Sequence, residues 1–449
     1  MKYVYKYFSI ICLLLSLLLV FYIFFKSQIT WNGEKNDYYF KYFVISIVLI
    51  ISSLITFFIN NKIKEYLFIS FVTIILSLYI IESLFIFGCT YCDFESRLKG
   101  LFSNYETRTL LEFYEDNKVN DKSLKVLITP VDYLQYYNKN DNIFPLSGFS
   151  NTKTIFCNEN GYFSIFESDR YGFNNPDEQW DSKEISYLFI GDSFTEGACV
   201  NRPNDVPSVF RKLTGKSVLN LGKAGNSTLL EYATLREYLD TNVKNIVLMY
   251  YEGNDLRDLN QELSMTFLNK YLNDNKFSQN LRSRQNEVNK LINKIIENEI
   301  NKRNELNKMI KDDSFYKFIK LFNVRALFLE SFKNINISKV SQSNAESYIE
   351  FKKILKLINS LSIENGSKLY FVYLPEYSRY KYKYENSDYI FIKKLLNDLD
   401  IPIIDIHKEV IDKENNPIKI FSKRFGHYNI LGYEKVANAI YKSINEHKN

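Results

Sequence analysis

The sequence predicts an α/β fold: a parallel sheet with helices between its strands, carried behind three membrane-spanning helices and interrupted by a helical insertion. Three observations predict it. Short, wholly apolar runs alternate with helix-length stretches from Tyr187 to the C-terminal end, the pattern of a parallel sheet. Three apolar runs of spanning length open the chain. A stretch rich in Lys, Asn and Glu, roughly Asn260 to Ala345, parts the third strand from the fourth.

The 449 residues exceed one ordinary domain and divide into a membrane region (1–92), an accessory region (93–180) and the α/β domain (181–449). A net charge of +5 is small for this length, so nothing points to nucleic acid. The three histidines, His407, His427 and His447, bound the search for an imidazole base. Cys89 and Cys92 form a C-x-x-C with no second pair at metal-site spacing, so no structural zinc site and no cofactor is expected. A disulfide between them is a candidate if that region lies outside the cytoplasm, and Cys157 with Cys199 is a second candidate pair.

The apolar runs are Tyr7 to Phe25, Tyr42 to Ile59 and Tyr66 to Phe87. No small-residue cleavage site follows the first, so it reads as an anchor and not a signal peptide. Lys2 and Lys6 precede the first span, and Lys62 with Lys64 occupies the link between the second and third. The positive-inside rule then places the N-terminus inside and everything after Phe87 on the outer face of the cell membrane, as a multi-pass protein. Glu82, near the end of the third span, is expected to reach the interface.

In the accessory region, Leu101 to Tyr114 reads as a helix. Thr154–Cys157 and Tyr162–Phe166 read as short strands parted by Asn-Gly turn chemistry. In the α/β domain the first strand, Tyr187 to Ile190, ends in Gly191-Asp192-Ser193, which either caps the next helix or presents a hydroxyl at a strand's carboxyl end. A helix over Val206–Leu213 follows. The second strand, Ser217–Leu221, ends in Gly222-Lys223-Ala224-Gly225-Asn226 before a helix from about Leu229 to Leu239. The third, Ile246–Tyr251, ends in Glu252-Gly253-Asn254-Asp255. Within the insertion, Val288, Leu291, Ile292, Ile295 and Ile296 recur at helical spacing, as in a solvated helical hairpin with one buried stripe; a lid over the site, or a surface for membrane or partner, is the alternative. Lys368–Leu374 and Ile401–Ile406 are the fourth and fifth strands, and Leu431–Ile444 is a closing amphipathic helix.

Parallel strands end on one edge, so Ser193, Gly225 and Asn254 are expected to meet there. This is the residue set for acyl transfer. Ser193 attacks a carbonyl, and the backbone amides of Ser193 and Gly225 with the side-chain amide of Asn254 hold the oxyanion. Glycine suits such a place because its backbone approaches a ligand closely. The base must be a histidine. His427 lies in a loop that can return to the same edge after the fifth strand, His407 is its rival, and His447 lies in a charged tail.

From about Tyr171 to Tyr441 the chain resembles the SGNH, or GDSL-like, hydrolases. Gly191-Asp192-Ser193-Phe194-Thr195-Glu196-Gly197 matches the first block, Asn220-Leu221-Gly222-Lys223-Ala224-Gly225 the second and Glu252-Gly253-Asn254-Asp255 the third. Gly426-His427-Tyr428-Asn429, with Gly432-Tyr433, matches the last. The resemblance implies a three-layer αβα, flavodoxin-like sheet, with Ser193 as nucleophile, Gly225 and Asn254 as oxyanion donors and His427 as base. One position departs: Arg424 stands where the family carries an aspartate three residues before the histidine. Asp405 or Glu434, or a backbone carbonyl, is left to orient the imidazole. The expectation is a membrane-anchored serine esterase acting on O-acyl esters, O-acetyl first, with an acylated glycan or another ester as substrate. An O-acyltransferase acting on cell-surface polysaccharide, or an inactive binding module of the same fold, is the alternative.

Overall fold

The computed structural model describes residues 7–30, 36–87, 106, 108–136, 142–240, 242–312, 318–322, 324–325, 345–422 and 426–446. Cys89, Cys92, Arg424 and His447 lie outside the described residues. The chain forms two compact units, residues 1–88 with 313–335 and residues 89–312 with 336–449.

The first unit holds three helices long and apolar enough to cross a membrane, with spans Phe8–Ile29, Tyr39–Thr56 and Asn61–Ser83. Their apolar side chains face outward: Leu14, Leu18, Phe21, Ile47 and Ile74 are all exposed. Between the first two spans Ser16 Oγ meets Ser53 Oγ at 3.1 Å. Each hydroxyl also donates to the carbonyl four residues earlier, so the pair costs no unsatisfied donor in an apolar setting. Glu82, expected to reach the interface, is instead buried and accepts the backbone N–H of Val324 at 2.9 Å.

The second unit contains two sheets. The smaller joins β1 (Lys125–Val126), β2 (Lys153–Ile155) and β3 (Ile165–Glu167), with β1 parallel and β3 antiparallel to β2. The larger is wholly parallel and comprises β4 (Tyr187–Gly191), β5 (Val218–Asn220), β6 (Asn245–Tyr251), β7 (Lys368–Leu374) and β8 (Ile403–Asp405), in the order β5-β4-β6-β7-β8. Counted within this sheet the order is 2-1-3-4-5, that of flavodoxin-like folds. β4 therefore lies between β5 and β6 at the switch point, where the carboxyl ends of the strands open a crevice.

Strand alternation produces the three layers. Leu188, Ile190, Ile246, Leu248, Tyr250 and Phe371 join one core, while Tyr187, Phe189, Val247, Met249, Tyr370 and Val372 join the other. The first face is covered by helices Thr228–Tyr238, Asp255–Leu263 and Ala345–Glu364, the second by Val206–Thr214 and Ile430–Glu446. The insertion buries the stripe expected of it. Its long helix, Gln285–Asp312, buries Val288, Ile292, Ile295 and Ile296 in the first core. Four fully buried aliphatic side chains are worth roughly 6–12 kcal/mol of transfer free energy, enough to hold the helix on the domain.

Candidate active site

The turn that carries Ser193 is fixed by a cap. Asp192 is the N-cap of the short helix Ser193–Glu196, and its side chain accepts from Phe194 N at 2.9 Å. Capping and presentation of the hydroxyl, alternatives in the sequence, are both realised: Asp192 caps while Ser193 Oγ lies 2.9 Å from His427 Nε2. Burial of Asp192 pushes its carboxyl up to about 6, against the pull of the Phe194 N–H.

His427 arrives on a small hairpin. Phe421 and Tyr428 pair across it, and Ser422 N donates to His427 O at 2.6 Å. Tyr428 is fully buried and its hydroxyl donates to Pro375 O at 3.2 Å, tying the hairpin to the end of β7. The imidazole is backed by Phe194, whose ring lies 4.8 Å away and itself stacks on Tyr251 at 4.1 Å.

The second ring nitrogen meets a residue the sequence reading did not single out. His427 Nδ1 lies 2.6 Å from Glu159 Oε1. Glu159 Oε2 accepts from the Ser422 hydroxyl and, at 3.3 Å, from His427 N, so the carboxylate is gripped by the hairpin that carries His427. Burial opposes ionisation of Glu159, but the charge of His427 and these hydrogen bonds hold its carboxyl below the ordinary range. Burial likewise opposes protonation of His427, and Glu159's charge and hydrogen bond overcome it, so its pKa is raised above 6.5. With Nδ1–H donated to Glu159, Nε2 is left to accept the Ser193 proton.

Asp405, considered from sequence as the orienting acid, is elsewhere. Its Oδ2 accepts from Tyr389 Oη at 2.5 Å and pairs with Lys393 Nζ at 3.5 Å. The reason is topological: Asp405 ends β8, the far edge strand, whereas Ser193 follows β4. Glu434 is exposed on the closing helix. Glu159 comes from the accessory region instead, in the β2–β3 connection. The hairpin ladder continues past β2 through Phe156 N to Ser164 O (2.8 Å) and Ser164 N to Cys157 O (2.9 Å). Asn158 Oδ1 then accepts from Gly161 N at 3.0 Å, and Gly161 takes φ +92°. The Asn-Gly turn read from the sequence is thus the device that delivers the acid. One sequence signal pointed toward it: a Cys157–Cys199 pairing places residue 159 beside the segment that follows the nucleophile. That disulfide is present.

Glu159, Cys199 and His427 each place a donor atom within 4.8 Å of the others. The sulfur is spent in the disulfide, and the carboxylate and imidazole bond each other, so the donors describe an acid–base pair and not an ion site.

The expected oxyanion donors stand at the ends of β5 and β6. Gly225 has φ +79°, a left-handed conformation that glycine adopts freely, and a Cβ there would lie 3.3 Å from Val131 Cγ2. Its loop is bound to the helix Ser193–Glu196. Glu196, fully buried, receives Lys223 Nζ at 2.9 Å and Ala224 N at 2.6 Å, and Lys223 N donates to Gly191 O at 3.0 Å. A side chain at Gly222 would put its Cβ 2.5 Å from Glu196 N, so this close approach requires glycine. Asn254 N-caps the helix Asp255–Leu263, and its Nδ2 donates to Asp258 Oδ2 at 3.0 Å. An amide nitrogen carries two N–H groups, so Asp258 orients Asn254 and leaves one donor. Glu252, just before this turn, ties β6 to the end of β7 through Tyr373 and Arg379; burial pushes its carboxyl up to about 7.

His407, the rival base, has Tyr380 Oη at 2.6 Å from Nδ1 and Asp412 Oδ1 at 3.4 Å.

No protein-family model matches the sequence, and no curated protein matches it. Among solved structures the chain is similar to a protein from Desulfitobacterium hafniense DCB-2 assigned to the G-D-S-L family of lipolytic proteins, at 13% identity. That alignment covers 58% of this chain and 99% of that one, with a TM-score of 0.33. The chain is also similar to an acetyl xylan esterase at 15% identity, covering 58% of this chain and all of the other, with a TM-score of 0.32.

Proposed function

We propose that the protein is a membrane-anchored serine esterase that cleaves O-acyl, in the first place O-acetyl, esters. The observation that carries the proposal is the unbroken relay from Ser193 Oγ through His427 Nε2 and Nδ1 to Glu159, with links of 2.9 and 2.6 Å. In the first half-reaction Ser193 Oγ attacks the ester carbonyl carbon and its proton passes to His427 Nε2. Glu159 stabilises the imidazolium. The oxyanion is met by the N–H groups of Ser193 and Gly225 and the free N–H of Asn254. Collapse breaks the bond to the alcohol, which leaves with the proton from His427. Water repeats the sequence, releasing the carboxylic acid and free Ser193.

A non-catalytic binding role was motivated by Arg424, where an acid is expected; Glu159 at Nδ1 removes that motive. The Cys157–Cys199 disulfide supports an oxidising compartment, hence a catalytic domain on the outer face of the membrane, in accord with Lys2, Lys6, Lys62 and Lys64 inside. An outward site at a membrane suits acylated surface glycans.

The test incubates the full-length protein in detergent with acetylated glycans and measures free acetate. Release by wild type and none by Ser193→Ala is expected. Acetate moving to a sugar hydroxyl instead of water would make the protein an O-acyltransferase. No acetate chemistry on any ester, with Ser193 unreactive toward a fluorophosphonate, would end the proposal.

A further inference from the structure

We infer that the Cys157–Cys199 disulfide is a positioning clamp for the site, holding Glu159 against His427 so that the base is oriented only in the oxidised protein. The inference deepens the proposed function and rests on it.

Three regions distant along the chain must meet at His427. Glu159 and His427 are 268 residues apart, and Ser193 is 234 residues from His427. The serine and histidine are both carried by the large parallel sheet and the elements packed on it. Glu159 is not: it hangs from the β2–β3 hairpin of the small sheet. The disulfide is the covalent bridge between the two, and it lands close to the chemistry at both ends. Cys157 precedes Glu159 by two residues. On the other side, Ala198 N donates to Ser193 O at 2.9 Å and Cys199 follows at once. The bridge therefore runs from the acid's own turn to the nucleophile's own turn.

Hydrogen bonds reinforce the same junction. Asn160 Nδ2 donates to Cys199 O at 3.0 Å, and Tyr433 Oη, from the closing helix, donates to Ala198 O at 3.1 Å. Cys199 is held at φ +60°, a left-handed conformation a non-glycine residue keeps only when its surroundings impose it. Its neighbours are the hairpin on one side and the nucleophile segment on the other. Cys199 is fully buried and Glu159 is 3% exposed, so the acid stands in a desolvated place that a loosened loop would leave for water. A carboxylate that retreats takes with it both the orientation of the ring and the charge that favours its protonated form.

The charged groups that act on His427 are Glu159 and Asp192. Asp192 belongs to the turn that carries Ser193, where it caps through Phe194 N, and does not hang from the hairpin that carries Glu159. Reduction therefore removes one influence of the two, and the ring's titration reports which.

The experiment uses full-length protein with isotopically labelled histidine in detergent micelles; three imidazoles make a resolvable spectrum. His427 is titrated in oxidised protein, after reductant, and in Cys157→Ser/Cys199→Ser, each with and without Glu159→Gln. Hydrolysis of a chromogenic acetate ester is followed in parallel. Opening the disulfide is expected to lower the His427 pKa toward its value in Glu159→Gln and to cut kcat about 10-fold or more. In the Glu159→Gln background it is expected to change both by less than about 2-fold, since the two changes act through one contact. A His427 titration unmoved by reduction in folded protein overturns the clamp, whatever the esterase result. A titration that moves as expected in a protein that hydrolyses no ester sustains the clamp and overturns the enzyme.

Discussion

Two histidines of the α/β domain invite comparison. His427 and His407 have nearly equal side-chain exposure, 24% and 18%, and each has an oxygen within 2.6 Å of Nδ1. Burial pushes both toward the neutral form. His427 nevertheless has a raised pKa, because its Nδ1 partner is an ionised carboxylate. His407 has a lowered one, because the Arg379 charge adds to burial and outweighs Asp412 and Asp405. The partner of His407 is Tyr380, a phenol that burial pushes well above its ordinary value, so it stays protonated. What separates the two rings is the set of groups around them: an ionised carboxylate on Nδ1 and a hydroxyl at Nε2 for His427, a protonated phenol on Nδ1 and the opposing Arg379 charge for His407.

The comparison breaks most sharply at the serine. Ser193→Ala is expected to reduce ester hydrolysis by about 10⁶-fold, toward the uncatalysed rate, measured by acetate release. Glu159→Gln is expected to cost about 10³–10⁴-fold in kcat, while Asp405→Asn, at the other end of the sheet, changes it less than about 3-fold. Equal losses from the two substitutions would return the orienting role to Asp405. Asn254→Ala is expected to cost about 10²–10³-fold in kcat with little change in KM, since an oxyanion donor acts in the transition state. Asp258→Asn, which still accepts from Asn254 but without its charge, should show a smaller loss of the same kind. Smallest is His407→Ala: activity stays within about 2-fold of wild type, and unfolding by urea reports a loss of about 1 kcal/mol from the broken Tyr380 hydrogen bond.

The pH profile sharpens the same contrast. A protonated His427 cannot take the Ser193 proton, so kcat/KM rises with pH through the pKa of His427, which Glu159 holds above 6.5. Glu159→Gln removes the negative charge and leaves burial to dominate. The acidic limb then moves to lower pH even as the plateau falls. His407→Ala leaves the limb where it was.

Much of this was legible in the sequence because it is local. Apolar runs such as Tyr187–Ile190 fix strands, and Gly191-Asp192-Ser193 fixes a turn with a hydroxyl at its tip. The regular strand–helix alternation brings the ends of β4, β5 and β6 to one edge. The insertion's stripe is legible as a period, but not what covers it: Val288, Ile292, Ile295 and Ile296 pack into the core on one face of the large sheet. Glu159 was missed for a different reason. A carboxylate 268 residues from its histidine, in a region with only short strands, carries no motif. Asp405 and Glu434, near the histidines in sequence, are the acids that sequence alone offers. Cys157 and Cys199, already considered as a pair, held the missing long-range information.

The most direct measurement of the central claim is the rate at which a fluorophosphonate labels the protein as a function of pH, with the modified residue identified by mass spectrometry. The expected result is labelling at Ser193, with a rate that rises through a pKa above 6.5 in wild type and through a lower one, at a much lower plateau, in Glu159→Gln. Labelling at another serine, or a Ser193 rate indifferent to residue 159, would contradict the relay.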